Sequence, residues 1–136
     1  MKKALIDTNV VLDKLAVRQP FHVEANAIFD LIADEEITAF ITASSITDIY
    51  FLLGKAIGFN ASIQAIENLL DVFEVISVTK IDCQNAIKSS IKDFEDALIA
   101  VCADKENIDF IISRDTEFLK FSEVISPTEF LEKMES

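Results

Sequence analysis

The chain has 136 residues with 24 Asp and Glu against 12 Lys and Arg, a formal charge of −12, and 51% hydrophobic residues with only two Gly and two Pro. A chain of this length buries roughly 70% of its unfolded surface, so no disulfide or structural metal is needed for folding, and the hydrophobic content excludes disorder. The acid excess argues against a general polyanion binder, because such affinity comes mainly from cationic contacts that release counterions.

Ala4-Leu5-Ile6 reads as a buried strand ending in the helix-capping residues Asp7-Thr8-Asn9, and helix signals run from Val10 to Ala16. After Pro20, the spacing of Ala25, Ile28, Phe29 and Ile32 predicts a second helix. Ile37 to Ile41 is the next strand, and Ser44 or Ser45 is expected to cap a strongly apolar helix containing Ile46, Ile49, Tyr50, Phe51, Leu52 and Leu53. Gly58 closes it, and Ala61 to Leu70 forms another helix. The β-branched Val75, Ile76 and Val78 predict a strand over Phe73 to Val78, after which Asp82 caps a helix through Ser89. Asp93 opens a helix to about Lys105, Phe110 to Ile112 is a strand, Val124-Ile125 is a last strand, and Pro127 starts the terminal helix.

Short apolar strands alternating with helices predict a three-layer α/β/α sandwich around a parallel sheet with right-handed crossovers. No linker, repeat or low-complexity tract divides the sequence, so residues 1–136 are read as one domain. Eleven Phe and no Trp predict a dense, Phe-rich core. Cys83 and Cys102 fit no metal or redox spacing and are read as small core residues of a reducing compartment. With no apolar run long enough for a leader or a membrane span, the expectation is a cytoplasmic protein with no membrane partner.

In parallel sheets, ligands bind beyond the carboxyl ends of the strands. Asp7 ends the first strand, Asp48 lies in the first turns of the helix after the second, Asp96 sits one turn into its helix, and Asp115 follows Phe110 to Ile112. Asp93 and Asp96 are three apart and are expected on one helix face. Singly, each has an ordinary explanation: Ser45-Ile46-Thr47-Asp48 resembles a capping box, and Asp93 suits an N-cap. Together they need a cation, because two carboxylates about 5 Å apart repel by roughly 3 kcal/mol at an effective dielectric near 20. All-oxygen ligation favours Mg²⁺ or Mn²⁺ over Zn²⁺, since the single His22 lies in the Pro20 turn and reads as a helix-start surface residue. Metal-bound carboxylate clusters activate water and stabilise phosphoryl charge.

These segments resemble the ordered motifs of PIN domains, and in particular the VapC-type toxin ribonucleases. Leu5-Ile6-Asp7-Thr8-Asn9-Val10 is similar to the opening motif and Ser44-Ser45-Ile46-Thr47-Asp48-Ile49-Tyr50 to the second. Lys92-Asp93-Phe94-Glu95-Asp96-Ala97-Leu98-Ile99-Ala100 resembles the third, and Ile112-Ser113-Arg114-Asp115 with Glu117-Phe118 the fourth. Ser126-Pro127-Thr128-Glu129-Phe130-Leu131 is similar to the usual ending. The resemblance implies a metal-dependent endoribonuclease, the toxin of a toxin–antitoxin pair, with Asp7, Asp96 and Asp115 holding the metal and Asp48 assisting. Asn9 is implied to orient Asp7, and Ser113 to hydrogen-bond around the ligands. The chain departs from the pattern at Asp48, where Glu is usual, and Asp93 adds an acid whose share of the metal with Asp96 stays open. Asp is one methylene, about 1.5 Å, shorter than Glu, so Asp48 is expected to act through a water.

RNA is the implied substrate, with Lys14, Arg18, Lys88, Lys92 or Arg114 as local contacts. A small basic antitoxin suits the acidic body, and the multi-faced apolar helix from Ile46 to Ile57 predicts a homodimer. Two alternatives are weighed. Asp7-Thr8-Asn9-Val10-Val11 also resembles the opening of haloacid-dehalogenase-like phosphatases, whose chemistry needs a second Asp where Asn9 stands. A non-catalytic PIN scaffold is opposed by acids at all four motif positions.

Overall fold

A computed structural model describes residues 1–135, and its centre is strand β1 (Lys2–Ile6). Ala4 and Ile6 point to one face and Leu5 to the other, all three at most 1% exposed, so this strand is buried on both sides. That arrangement suits a parallel sheet, where helices cover both faces. β2 (Ile37–Thr42) and β4 (Phe110–Ile112) flank β1, with Lys2 opposite Ile37 and Ala4 opposite Phe110. β3 (Glu74–Ile76) and β5 (Val124–Ile125) complete an all-parallel sheet in the order β3-β2-β1-β4-β5.

One face packs against α1 (Thr8–Leu15), α2 (His22–Ala33), α3 (Ala43–Ile57), α4 (Phe59–Val72) and α7 (Pro127–Glu135). The other carries α5 (Lys80–Lys88), α6 (Phe94–Lys105) and a 3-10 turn, Phe118–Lys120. The expected three-layer α/β/α architecture is therefore present. Among the described residues no helix is long and apolar enough to cross a membrane.

Several local expectations are corrected. α3 begins at Ala43, so Ser44 and Ser45 lie inside its first turn, and their hydroxyls meet Thr42 Oγ1 at 3.0 and 2.9 Å rather than capping the backbone. α5 is capped by Thr79, with Asp82 as the reciprocal partner: Thr79 N–H donates to Asp82 Oδ2 and Asp82 N–H to Thr79 Oγ1. β3 is shorter than Phe73 to Val78, because the Phe73 N–H bonds the Leu69 carbonyl and closes α4. The core is aliphatic rather than Phe-rich: only Phe40, Phe73, Phe118 and Phe130 are buried, while Phe21, Phe51, Phe59 and Phe94 are exposed. Cys102 is fully buried, which pushes its thiol up to about 11, and Cys83 is half-buried beside the same core.

α3 and α4 meet almost without a loop. Gly58 joins them at φ 96° and ψ 149°, a backbone region that side-chain-bearing residues avoid. A methyl group there would meet nothing within 4 Å, so only the backbone requires glycine. Gly58→Ala should therefore destabilise the protein by about 1–3 kcal/mol, measured as a lower urea midpoint with an unchanged m-value. A midpoint equal to that of the parent would show that the turn relaxes at no cost.

Candidate active site

Strand β1 delivers Asp7 to the carboxyl edge of the sheet, where its N–H donates to the Ile112 carbonyl at 2.9 Å and its side chain caps α1. Asp7 Oδ1 accepts from the Thr8 N–H at 2.9 Å and Oδ2 from the Ser113 hydroxyl at 2.7 Å. Ser113 is fully buried, and its Oγ also accepts from the Asp115 N–H at 3.1 Å, joining the ends of β1 and β4. Asn9 Nδ2 makes longer contacts, 3.4 Å to Asp7 Oδ2 and 3.5 Å to Ser113 Oγ. The nearest fixing of Asp7 thus comes from Ser113, with Asn9 behind it.

α6 supplies the next acids. Asp93 sits before the helix as its N-cap, its Oδ1 accepting from the Asp96 N–H at 3.0 Å. Asp93 and Asp96 are therefore coupled through a cap, not ranged along one helix face as expected. Asp48 stands one turn into α3 and forms no capping box, which removes the ordinary explanation for an acid there.

Asp7, Asp48, Asp93, Glu95, Asp96 and Asp115 line one cavity of about 250 Å³, so all five acids expected from sequence are brought together with a sixth. Glu95, which sequence reasoning passed over, hydrogen-bonds Asp48, and this contact, with burial and the neighbouring carboxylates, pushes it up to about 7. Its signal was present in the run Asp93-Phe94-Glu95-Asp96, but helical spacing alone gave it no partner. Asp96 is pushed up to about 7 by burial, then by Asp93, Asp115 and Asp7. Asp7 is also raised, chiefly by burial against the lowering hydrogen bonds of Ser113 and Thr8.

Sequence reasoning also missed Asp13. It is 1% exposed on α1, where it pairs with both Arg18 and Arg114. A single Asp on an amphipathic helix gives no sign of burial until its distant partner Arg114 is placed beside it. Of the other expected cations, Lys14 lies over the Phe29 ring, Lys88 is exposed away from the cavity, and Lys92 lines an adjoining groove. His22 begins α2, the helix start expected for it, though half-buried rather than at the surface, and it does not line the cavity.

The donor set is entirely oxygen, which suits a hard divalent ion. Among the described residues, no group of three His, Cys, Asp or Glu is drawn in closely enough to hold an ion as it stands. A water occupies about 30 Å³ of liquid, so the cavity has room for an ion that keeps several of its waters. Mg²⁺ is commonly held in that manner by one or two carboxylates.

A family model described as the PIN domain matches residues 3–117. Ribonuclease VapC1 of Aquifex aeolicus is 27% identical over 138 residues, covering 97% of this chain and 95% of that protein. VapC20 of Mycobacterium tuberculosis, described as a Sarcin-Ricin loop cleaving toxin, superposes with a TM-score of 0.73 at 19% identity, covering 89% of this chain and 96% of that one. A toxin–antitoxin complex from Klebsiella pneumoniae has a chain with a TM-score of 0.69 at 21% identity, covering 91% and 97%. At these identities the structural likenesses establish the fold.

The crowded acids give a stability prediction. Asp96 and Glu95 sit near 7 in the folded chain against ordinary values of 3.8 and 4.5, so the folded state binds more protons than the unfolded state between those limits. Their contribution to stability is present at low pH and lost as pH rises through about 7. Without divalent ions, the melting temperature should rise as pH falls from about 8 to about 5, and Asp96→Asn should both raise the value at the alkaline end and flatten the profile. Calorimetry in EDTA checks this, and an unaltered profile in the variant would sink the account.

Proposed function

Since the chain belongs to the PIN domain family, we propose that residues 1–136 act as one metal-dependent endoribonuclease domain, the cytoplasmic toxin of a toxin–antitoxin pair. The observation that carries this reading is the single cavity at the carboxyl edge of the sheet, lined by acids from β1, α3, α6 and the turn after β4. The names of the VapC relatives agree with it.

In this reading Asp7, Asp96 and Asp115 hold Mg²⁺ or Mn²⁺, with Asp93 supporting through the Asp96 backbone or sharing the ion. The ion supplies Lewis acidity and lowers the pKa of water, the chemistry that phosphodiester hydrolysis needs. Ser113 keeps Asp7 Oδ2 in place through its 2.7 Å hydrogen bond, and Asn9 closes the same network. Asp48 and Glu95, joined by a hydrogen bond, can take the proton of the attacking water as its oxygen adds to phosphorus and the ester oxygen leaves. An adjoining groove of about 430 Å³ shares Asp93, Asp96 and Asp115 and adds Lys92 and Lys120, a path for the strand beyond the cleaved bond. The charge of −12 keeps binding to bulk RNA weak and suits a basic antitoxin.

Cleavage of total RNA should require Mg²⁺ or Mn²⁺, stop in EDTA, and be lost in Asp7→Asn and Asp96→Asn. Asp48→Asn should lose about 10–100-fold while Asp48→Glu stays active. Wild-type cleavage in both Asp7→Asn and Asp96→Asn would place the chemistry elsewhere, and no cleavage by the parent would leave a binding scaffold.

A second copy of the chain is the proposed cover for the aromatic surface of α3 and α4. Phe59 lies on Gly54, with ring centroids 5.4 Å from Tyr50 and 6.5 Å from Phe51, and Phe51 and Leu52 remain 51% and 47% exposed. Light scattering at micromolar concentration should report a dimer, and Phe51→Glu with Leu52→Glu a monomer. A monomeric parent would refute this arrangement.

A further inference from the structure

The structure separates the two arginines near the site into different roles. Buried Asp13 accepts from Arg114 Nε at 2.6 Å and Nη2 at 3.0 Å, and from Arg18 Nε at 2.9 Å. Arg114 is held on its edge by that fork and on its face by Phe21, whose ring centroid lies 3.7 Å from the guanidinium carbon. It does not line the cavity. Arg18 does, and it is the sole cationic side chain among the described lining residues.

Arg18 shares the lining of the cavity with six carboxylates and ion-pairs with none of them. Its Nε is taken by Asp13 and its Nη2 donates to the Asn9 carbonyl at 2.8 Å, while Nη1 has no partner among the described residues. The side chain is 41% exposed. The preceding Val17 is held at φ 51°, a conformation that a β-branched residue avoids, with the Arg18 N–H bonded to the Asp13 carbonyl at 3.0 Å. One buried carboxylate against two guanidinium groups leaves the trio with a net positive charge at the rim of an acidic cavity. A guanidinium turned inward would neutralise the acids expected to hold a cation, and the tether to Asp13 prevents that.

We propose that Arg18 is the phosphate-binding residue of this site, contacting a backbone phosphate of single-stranded RNA, and that Asp13 is the positioning residue that holds it to that task. The inference rests on the ribonuclease reading and says which cation meets the substrate. Guanidinium suits it, because a fork fixed on one edge still offers donors on the other.

The test is the anisotropy of a fluorescent single-stranded oligoribonucleotide titrated with the whole chain in Ca²⁺, between about 50 and 200 mM KCl. Arg18→Ala should weaken binding about tenfold, as expected for one charge-assisted contact. It should also lower the slope of log K against log salt by about 0.7, with the melting temperature kept. Arg18→Lys should restore the slope but not the full affinity, a pattern that a merely structural role would not give. Asp13→Asn should weaken binding as Arg18→Ala does, and the double variant no further. Asp13→Glu, which keeps the charge but displaces both guanidinium groups, serves if the Asn variant does not fold. Parent affinity and slope in Arg18→Ala overturn the proposal and leave the ribonuclease reading standing. Parent affinity in a folded Asp13 variant overturns the part assigned to Asp13. A parent chain that neither binds this RNA nor cleaves RNA in Mg²⁺ overturns the ribonuclease reading and this inference with it.

Discussion

The backbone hydrogen bond from Asp7 N–H to the Ile112 carbonyl is the rung on which the rest of the site depends. It holds the end of β1 against the end of β4, so that Asp7 reaches the cavity with Ser113 buried behind it. From that rung Asp7 turns into the cap of α1, while Ser113, held by its N–H on the Ile125 carbonyl, turns its hydroxyl to Asp7. Chain order explains why the acids meet here. After β1, the chain builds outward through β2 and β3, then returns to the opposite side of β1 with β4. The β1–β4 junction is thus the point where the strand order reverses, and a crevice opens there.

Around that junction the fold tolerates a repulsion it could have avoided. Asp96 is buried beside Asp93, Asp115 and Asp7, and its upward shift measures how poorly the environment accepts its charge. Elsewhere the chain pairs its buried acids: Asp82 is held below the ordinary carboxylate range, first by the Lys105 ammonium at 2.6 Å and then by Thr79. Asp13 has two arginines. The contrast between ion-paired acids in the body and cavity acids without a cationic partner among the described residues is what supports reading the cavity as a site, because structural carboxylates commonly acquire such partners while groups meant for a ligand cannot.

Much of the fold was legible because strand and helix periods differ. Ala4-Leu5-Ile6 and Phe110-Ile111-Ile112 are too short for helices, and helices between them force parallel pairing. Helix starts were less legible, since Ser, Thr and Asp near an apolar run all qualify as caps: Thr79 was hidden behind Asp82, and Ala43 ahead of Ser44. The Phe content misled because aromatic residues serve equally in cores and on exposed faces, and Phe51 and Phe59 took the second place. In the site, the acids at strand ends were visible from topology alone. Asp13 and Glu95 were not, because each depends on a partner whose approach no local spacing reports: Arg114 across 101 residues, and Asp48 from another helix.

The contact of Asp48 with Glu95 bears on position 48, where the resemblance to PIN domains led to the expectation of a Glu. A Glu at position 48 would reach further into the cavity, and the shorter Asp leaves its carboxylate nearer the wall. Glu95 lies on α6, across the cavity from α3, and brings a longer acid to the same space. Contact with the Asp48 carboxylate is the largest of the causes that push Glu95 up to about 7, ahead of burial. A lone Glu has to be tuned by burial to reach that state. Here the tuning comes first from a second acid on another helix, so the working pH of Glu95 depends on how closely α6 approaches α3. That approach is set by the sheet lying between their two cores, and so in the end by the buried alternation of β1.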